Sequence, residues 1–345
     1  MPLKWAIAAV INGRDLSQEQ AAAAMDIIMD GEATPAQIGS YLTALRMKGE
    51  TVAEIAGSAQ SMRRHVVAVP VSDDIAGQRL VDTCGTGGDG KHTFNISTTA
   101  AFVVAGSGAR VAKHGNRAAS SKSGSADVLL ALGGNLDLNP QQVAACLHDV
   151  GIGFLYAIKH HPAMRYAIGP RREIGQRTIF NVLGPLTNPA GATHQLIGVY
   201  DPALTEPIAQ TLGALGSEAA FVVHGADGLD ELSTTGVNRV SHLLHGAVNT
   251  FELDPADLGL PPASLTDMIG GEPQENAQIM HDIISGVDQG PRRDIVVLNA
   301  AGVLSVEHND WQRGIQAARA AIDSGAALET LEAWIAMTKS FNNER

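Results

Sequence analysis

The sequence predicts an α/β protein built from a small helical N-terminal domain and a larger α/β domain with a mainly parallel central sheet. Three observations carry this expectation. The first 70 residues hold three helix-start signatures in succession. From residue 79 onward, short β-type runs alternate with helical patterns, the arrangement of strands joined by crossover helices. The chain has 345 residues, 45% of them hydrophobic, enough to bury a sizeable core in a large domain beside a smaller one.

The helix starts are Ser17-x-x-Gln20, Thr34-Pro35-x-Gln37 and Thr51-x-x-Glu54. In each, a hydroxyl can accept from the amide three residues on while the Gln or Glu side chain reaches back, and Pro35 suits a first helical position. Gly31 and Gly49 are natural stops, and the small residues in Ala21–Ala24 and Ala36–Ala44 permit close helix packing. Such a block cannot easily bury all its apolar faces alone. The expected strands are Leu80–Cys84, Ala109–Ala112, Gly153–Ala157, Leu196–Tyr200 and Ala219–Val223. Pro140 after Asn139 opens one of the intervening helices, and Arg239–Leu244 with Val248–Leu253 reads as a hairpin across His245-Gly246. Aromatic residues make up only 4% of the chain, so the core must rest on Ala, Leu, Ile and Val.

A formal net charge of −12 argues against a general nucleic-acid surface, because phosphate backbones select basic faces. The two cysteines, Cys84 and Cys146, offer no metal-ligand spacing and read as small buried side chains. No basic segment precedes an apolar signal core, and no apolar stretch reaches the roughly 20 residues that span a bilayer, so no membrane association and a cytoplasmic location are expected.

The densest chemistry lies in VDTCGTGGDGKHTFNISTTA, from Val81, and the following AKHGNRAASSKSGSADVLLALGG. An apolar run ends in four glycines within Gly85–Gly90, and Ser97 then opens the apolar segment Thr98–Ala105, which reads as strand, glycine loop and helix start. Glycines let consecutive amides point at one anion beside the positive end of a helix. The spacing is neither GxGxxG nor a P-loop. An isolated GTGG could equally be a tight turn. Here Asn95, Ser97 and Thr98 add donors past the first loop, and Lys113, His114, Asn116, Arg117, Ser120, Ser121, Lys122, Ser123 and Ser125 crowd a second, which favours a polyphosphate site. Asp230-Glu231 in DGLDELS suits magnesium arriving with its substrate, although such a pair alone is usually a solvated loop. Arg171, Arg172 and Arg177 offer forks for a carboxylate, against the alternative of a solvated helix face. His160-His161 reads as helix packing rather than a metal pair. The residues by themselves stop at a magnesium-assisted phosphoribosyl or nucleotide enzyme.

The combination GTGGD (Gly85–Asp89), NIST (Asn95–Thr98), KHGNRAAS (Lys113–Ser120), SGSADVL (Ser123–Leu129), HHPAM (His160–Met164), RREIGQRTIFNVLGPLTNP (Arg171–Pro189) and DGLDELS (Asp227–Ser233) resembles the anthranilate phosphoribosyltransferase family of tryptophan biosynthesis. The resemblance spans nearly the whole chain. It implies that phosphoribosyl pyrophosphate is bound by Gly85, Thr86, Gly87, Gly88, Asp89, Thr93, Asn95, Ser97, Thr98, Lys113, Asn116, Arg117, Ser120 and Ser125. It places anthranilate against Gly85, His114, Asn116, Arg171, Gly184 and Pro185. It gives Lys113, Asp230 and Glu231 catalytic roles, with Ser97, Asp230 and Glu231 holding two magnesium ions per monomer. It also implies a helical domain of residues 1–70, on which 162–190 packs to form the hinge side of a cleft. Residues 71–161 and 191–345 then form the donor-binding domain, and the helical domain forms a homodimer. Nothing in the chain specifies an amidotransferase partner.

Two departures border the expected acceptor side. Ala157-Ile158 stands where the family usually has Ala-Pro, and Ile168-Gly169-Pro170 where it usually has Ala-Pro-Val. They bear on acceptor affinity and on tolerance for substituted anthranilates. A pyrimidine-nucleoside phosphorylase would need no magnesium pair, so DGLDELS and the RREIGQRTIFN segment speak against it. A silent anion or nucleic-acid binder would have lost Asp230-Glu231 or gained a basic surface.

Overall fold

The computed structural model describes residues 2–72, 79–118 and 122–341. The expected phosphate donor Ser120 and its neighbour Ser121 lie outside the described residues. Four helices open the chain: α1 (Leu3–Ile11), α2 (Gln18–Met29), α3 (Pro35–Lys48) and α4 (Val52–Arg64). All three capping boxes form, at Ser17, Thr34 and Thr51. Helix α1 carries no such signal: its N-cap is Pro2, which makes no side-chain capping bond. Helices α2 and α4 pack backbone to backbone, since a Cβ on Gly57 would sit 2.1 Å from the carbonyl oxygen of Gln18. Fully buried Glu54 ties this layer together, accepting from the Leu16 amide at 3.0 Å and from Lys48 Nζ at 2.9 Å.

A seven-stranded sheet follows: β1 (Leu80–Gly85), β2 (Arg110–Gly115), β3 (Ile152–Tyr156), β4 (His194–Gly198), β5 (Ala219–His224), β6 (Asn238–Leu244) and β7 (Ala247–Leu253). Its order is β3-β2-β1-β4-β5-β6-β7, parallel through β5 and antiparallel at β6 and β7. The hairpin turn falls at His245 (φ 50°) and Gly246 (φ 79°), positive at both central residues as a tight two-residue turn requires.

Strand β5 shows how the sheet divides two cores. Ala219, Phe221 and Val223 face one cluster with α5 (Ile96–Gly106) and the C-terminal helices, while Ala220 and Val222 face the other with α1–α4. The segment carrying Ala167, Ile179, Phe180, Leu183 and Leu186 belongs to the α1–α4 cluster. Its helix α9 (Arg165–Ile174) packs on α3 and α2.

One strand runs further than its sequence pattern suggests. Strand β2 continues to Gly115, with Lys113 opposite Phe154 and His114 opposite Leu155, so both polar residues are part of the sheet rather than of the loop after it. Both are buried, and this burial is what a hydropathy reading of a charged run misses.

Candidate active site

The strand ends of the parallel sheet open into a cleft of about 650 Å³. On one wall, β1 leads into the loop Gly85–Gly90, in which Gly87, Gly88 and Gly90 take φ values of 71°, 81° and 72°. These left-handed conformations exclude most side chains. Thr86 is fixed to the sheet by its amide, which donates to Gly198 O at 2.9 Å. Thr93 makes a single antiparallel bridge to Ile269. Asn95 donates to Ser123 O at 3.2 Å and accepts from Asn276, leaving the start of α5 without a side-chain cap.

The acidic pair lies directly over this loop. Asp230 accepts from the Gly87 amide at 2.6 Å, and Glu231 accepts from the Ser97 amide, in the first turn of α5, at 3.2 Å. Two glycines make room for it: a Cβ on Gly85 would fall 2.1 Å from Asp230 Oδ2, and one on Gly198 would fall 1.6 Å from Asp230 O. Burial, then the charges of Glu231 and Asp89, hold Asp230 well above the usual carboxylate range. Burial pushes Glu231 up to about 7, against the opposing pull of Lys113 and Ser97. Two buried carboxylates forced together are a fitting seat for a divalent cation, whose charge would offset both costs. Among the described residues no group of three or more His, Cys, Asp or Glu could hold an ion by itself.

Lys113 is buried, its ammonium donating to Thr83 O at 2.6 Å. Asn116 and Ser125 are locked together, the Asn116 amide donating to Ser125 Oγ and that hydroxyl to Asn116 O, both at 3.1 Å. Arg117 reaches Tyr156 at 3.0 Å. Thr98 is buried within α5 yet lines the cleft.

The opposite wall comes from the 157–187 segment. Arg171 on α9 lies 5.2 Å over the Phe180 ring with no described carboxylate at ion-pair distance. Gly184 and Pro185 follow α10 (Phe180–Leu183), and the Pro185 carbonyl accepts from Gln195 at 2.9 Å. Of the three arginines, Arg172 is exposed and does not line the cleft, while Arg177 crosses to the glycine loop, donating to Gly88 O with its guanidinium 4.0 Å over Tyr200. The two departures face the cleft mouth, where Ile158 is 60% and Ile168 47% exposed.

Every described residue that the family resemblance assigns to substrate or metal lines this one cleft, whereas Lys122, Arg172 and Arg177 do not. The histidine pair divides: His160 bonds Val67 O at 2.7 Å as a packing residue, whereas His161 Nε2 meets His114 Nε2 at 3.1 Å inside the cleft. Sequence reasoning missed His161, Met62, Met164 and Phe180 as lining residues; His161 and Met164 fall in HHPAM and Phe180 in the Arg171–Pro189 string, while Met62 carried no signal. Cys84 lines the cleft as an inert thiol, pushed far up by burial and by Asp82.

A helical layer against a mainly parallel sheet, with a glycine loop capped by paired carboxylates, defines a group-transfer enzyme of the glycosyl transferase class. Residues 4–66 match the family model described as "Glycosyl transferase family, helical bundle domain" and residues 77–328 the one described as "Glycosyl transferase family, a/b domain". The anthranilate phosphoribosyltransferase of Moorella thermoacetica is 55% identical, with 98% of this chain and 99% of that protein covered. The crystal structure of the Thermus thermophilus enzyme of the same name superposes with a TM-score of 0.91 at 41% identity, covering 97% of this chain and 99% of that one. The Saccharomyces cerevisiae enzyme, in complex with PRPP and Mg, gives a TM-score of 0.88 at 32% identity, with 98% of each chain covered. The same yeast enzyme has been solved with 4-fluoroanthranilate, with a TM-score of 0.87 at 29% identity and 98% of each chain covered. The chain belongs to the anthranilate phosphoribosyltransferase family.

Proposed function

We propose that this chain transfers the 5-phosphoribosyl group of phosphoribosyl pyrophosphate to the amine of anthranilate, releasing pyrophosphate, in tryptophan biosynthesis. The observation that carries the reading is the meeting, in one cleft, of a glycine loop capped by Asp230 and Glu231 with the carboxylate-free guanidinium of Arg171.

The loop amides of Gly85–Asp89, with Thr86, Thr93, Asn95, Ser97 and Thr98, take the pyrophosphate, and Lys113, Asn116, Arg117, Ser120 and Ser125 serve the rest of the donor. Arg171 grips the anthranilate carboxylate, while His114, Asn116, Gly184 and Pro185 shape the wall around its ring and amine. The bond from ribose carbon-1 to pyrophosphate oxygen breaks, the carbon–nitrogen bond forms, and the amine gives up a proton. An aniline-type amine is already unprotonated at neutral pH, so positioning and electrostatics carry most of the acceleration. Ser97, Asp230 and Glu231 would hold magnesium, two ions per monomer in this reading. When bound, these ions neutralise charge on the leaving pyrophosphate.

In the same reading, residues 1–70 with 162–190 form the helical domain, and 71–161 with 191–345 form the donor-binding domain, the cleft lying between them. The helical domain pairs with a second copy, an arrangement supported by Trp5, Ile11 and Met47, large apolar side chains left 40%, 66% and 83% exposed on α1 and α3. No described helix is long and apolar enough to cross a membrane, and a cytoplasmic location is part of the proposal.

The test is the loss of anthranilate fluorescence on adding phosphoribosyl pyrophosphate, with and without magnesium. Magnesium-dependent loss in the wild type that vanishes in Asp230→Asn/Glu231→Gln is expected. No loss with folded wild-type protein overturns the assignment.

A further inference from the structure

Strands β1 and β2 part company early. Their parallel ladder covers only Leu80↔Arg110 and Val81↔Val111, yet β1 stays paired with β4 to Gly85↔Gly198 and β2 with β3 to Gly115↔Tyr156. The two strands therefore diverge from residues 82 and 112 onward, under the floor of the cleft. Backbone groups in such a gap must find other partners or carry a desolvation cost.

Two side chains fill it. Asp82 Oδ1 accepts from the His114 amide at 3.1 Å, and Asp82 Oδ2 accepts from Asn188 Nδ2 at 2.8 Å. Asn188 Nδ2 also donates to Ala112 O at 2.8 Å, and Asn188 Oδ1 accepts from the Ala190 amide at 2.9 Å. The Asn188 amide cannot turn over without losing both outer bonds, and the Cys84 thiol also donates to Asp82 Oδ2 at 3.8 Å, so every one of these partners of Asp82 is a donor and only a group accepting at both oxygens fits. Between them, Lys113 Nζ spans the same gap to Thr83 O at 2.6 Å. Asp82 and Asn188 are themselves buried. Neither of them lines the cleft.

We propose that Asp82 and Asn188 form a wedge that holds β1 and β2 apart and thereby places Lys113 and His114 together at the cleft floor, making both wedge members positioning residues for the two substrates at once. For its catalytic consequence the inference rests on the transfer reading above; its geometry does not. With the wedge intact, Lys113 is held beside the donor phosphates and His114 beside the acceptor, from adjacent positions on one strand. Closing the gap would draw both away together.

The variant to make is Asp82→Asn, which keeps shape but presents a donor where an acceptor is needed. Below its melting temperature it is expected to lose about tenfold or more in kcat/KM for phosphoribosyl pyrophosphate and for anthranilate alike. The ring-nitrogen resonances of His114, assigned by a His114→Gln difference spectrum on isotope-labelled histidine, are expected to move in the ligand-free protein. A folded Asp82→Asn with both kcat/KM values within about twofold of wild type overturns the proposal, because a purely structural role lowers melting temperature alone. Loss confined to one substrate, or unmoved His114 signals, also overturns it. If Asp82→Asn does not fold, Asn188→Ser carries the same readouts, since it keeps the Asp82–His114 bond and removes the prop on Ala112. Wild-type protein that transfers nothing sinks the transfer reading, and the wedge is then judged on the His114 resonances.

Discussion

The Nε2 atoms of His114 and His161 lie 3.1 Å apart, so one imidazole donates to the other and the two rings cannot both be imidazolium. Burial first, then neighbouring His161, His160 and Lys113, hold His114 far below its ordinary pKa, and burial with His160 holds His161 at about 4.

This pair sets a pH dependence with a definite sign. The unfolded chain protonates His161 near its ordinary 6.5 while the folded chain resists until about 4, so its contribution is fully present above 6.5. It is lost as pH falls from 6.5 toward 4, on the order of 3 kcal/mol in total. Urea titrations of wild type and His161→Gln across that window should show a shallower slope in the variant. Parallel slopes would place the proton uptake elsewhere.

Arg171→Ala should raise the anthranilate KM by roughly ten- to a hundredfold and leave the KM for phosphoribosyl pyrophosphate little changed, because a charge-assisted fork to one substrate is removed. Steady-state kinetics with each substrate varied in turn checks this. An unchanged anthranilate saturation curve removes Arg171 from the acceptor site.

Asp230→Asn/Glu231→Gln should abolish magnesium-dependent turnover without lowering the melting temperature of the ligand-free protein. Burial and neighbouring acids hold both carboxylates above their usual range despite the pull of Lys113 and Ser97 on Glu231, so neutral isosteres remove a larger cost than the favourable contacts they give up. Calorimetry without magnesium, beside the fluorescence assay, separates the two effects. A large drop in melting temperature would mean that the carboxylates hold the loop rather than a cation.

Gly198→Ala should cost more than Gly85→Ala, about 1–3 kcal/mol of stability together with most activity. At Gly198 the added methyl falls 1.6 Å from the Asp230 carbonyl oxygen, which cannot swing away, whereas at Gly85 its worst clash is with the Asp230 carboxylate and that carbonyl oxygen lies at 2.8 Å. Chemical denaturation of both variants orders them. Equal costs would show the DGLDELS loop to be pliable.

Much of this architecture is legible in the chain because its signals are local. Ser17, Thr34 and Thr51 each form the capping box their spacing announces, Pro140 opens its helix, and His245-Gly246 makes the expected turn. Strand β2 is legible only in its first half, since Lys113 and His114 are buried by tertiary neighbours that no window of sequence contains. Asp82 shows the same limit: within VDTCG it reads as one polar residue in an apolar run, and its partners His114 and Asn188 are remote in the chain. His161 is visible as a histidine but not as the partner of His114, because that pairing joins the end of one strand to the residue that follows the short helix Ala157–His160 after another.

Arg177 belongs to the same segment as Arg171, yet its guanidinium rests on Tyr200 and donates to the carbonyl of Gly88. In the proposed reading, the segment that would grip the acceptor is thereby tethered to the loop that would receive the donor. In thermodynamic terms the two substrates share one linkage: any factor by which the first to bind tightens or loosens this tether for the second is returned, unchanged in size, when the order of addition is reversed.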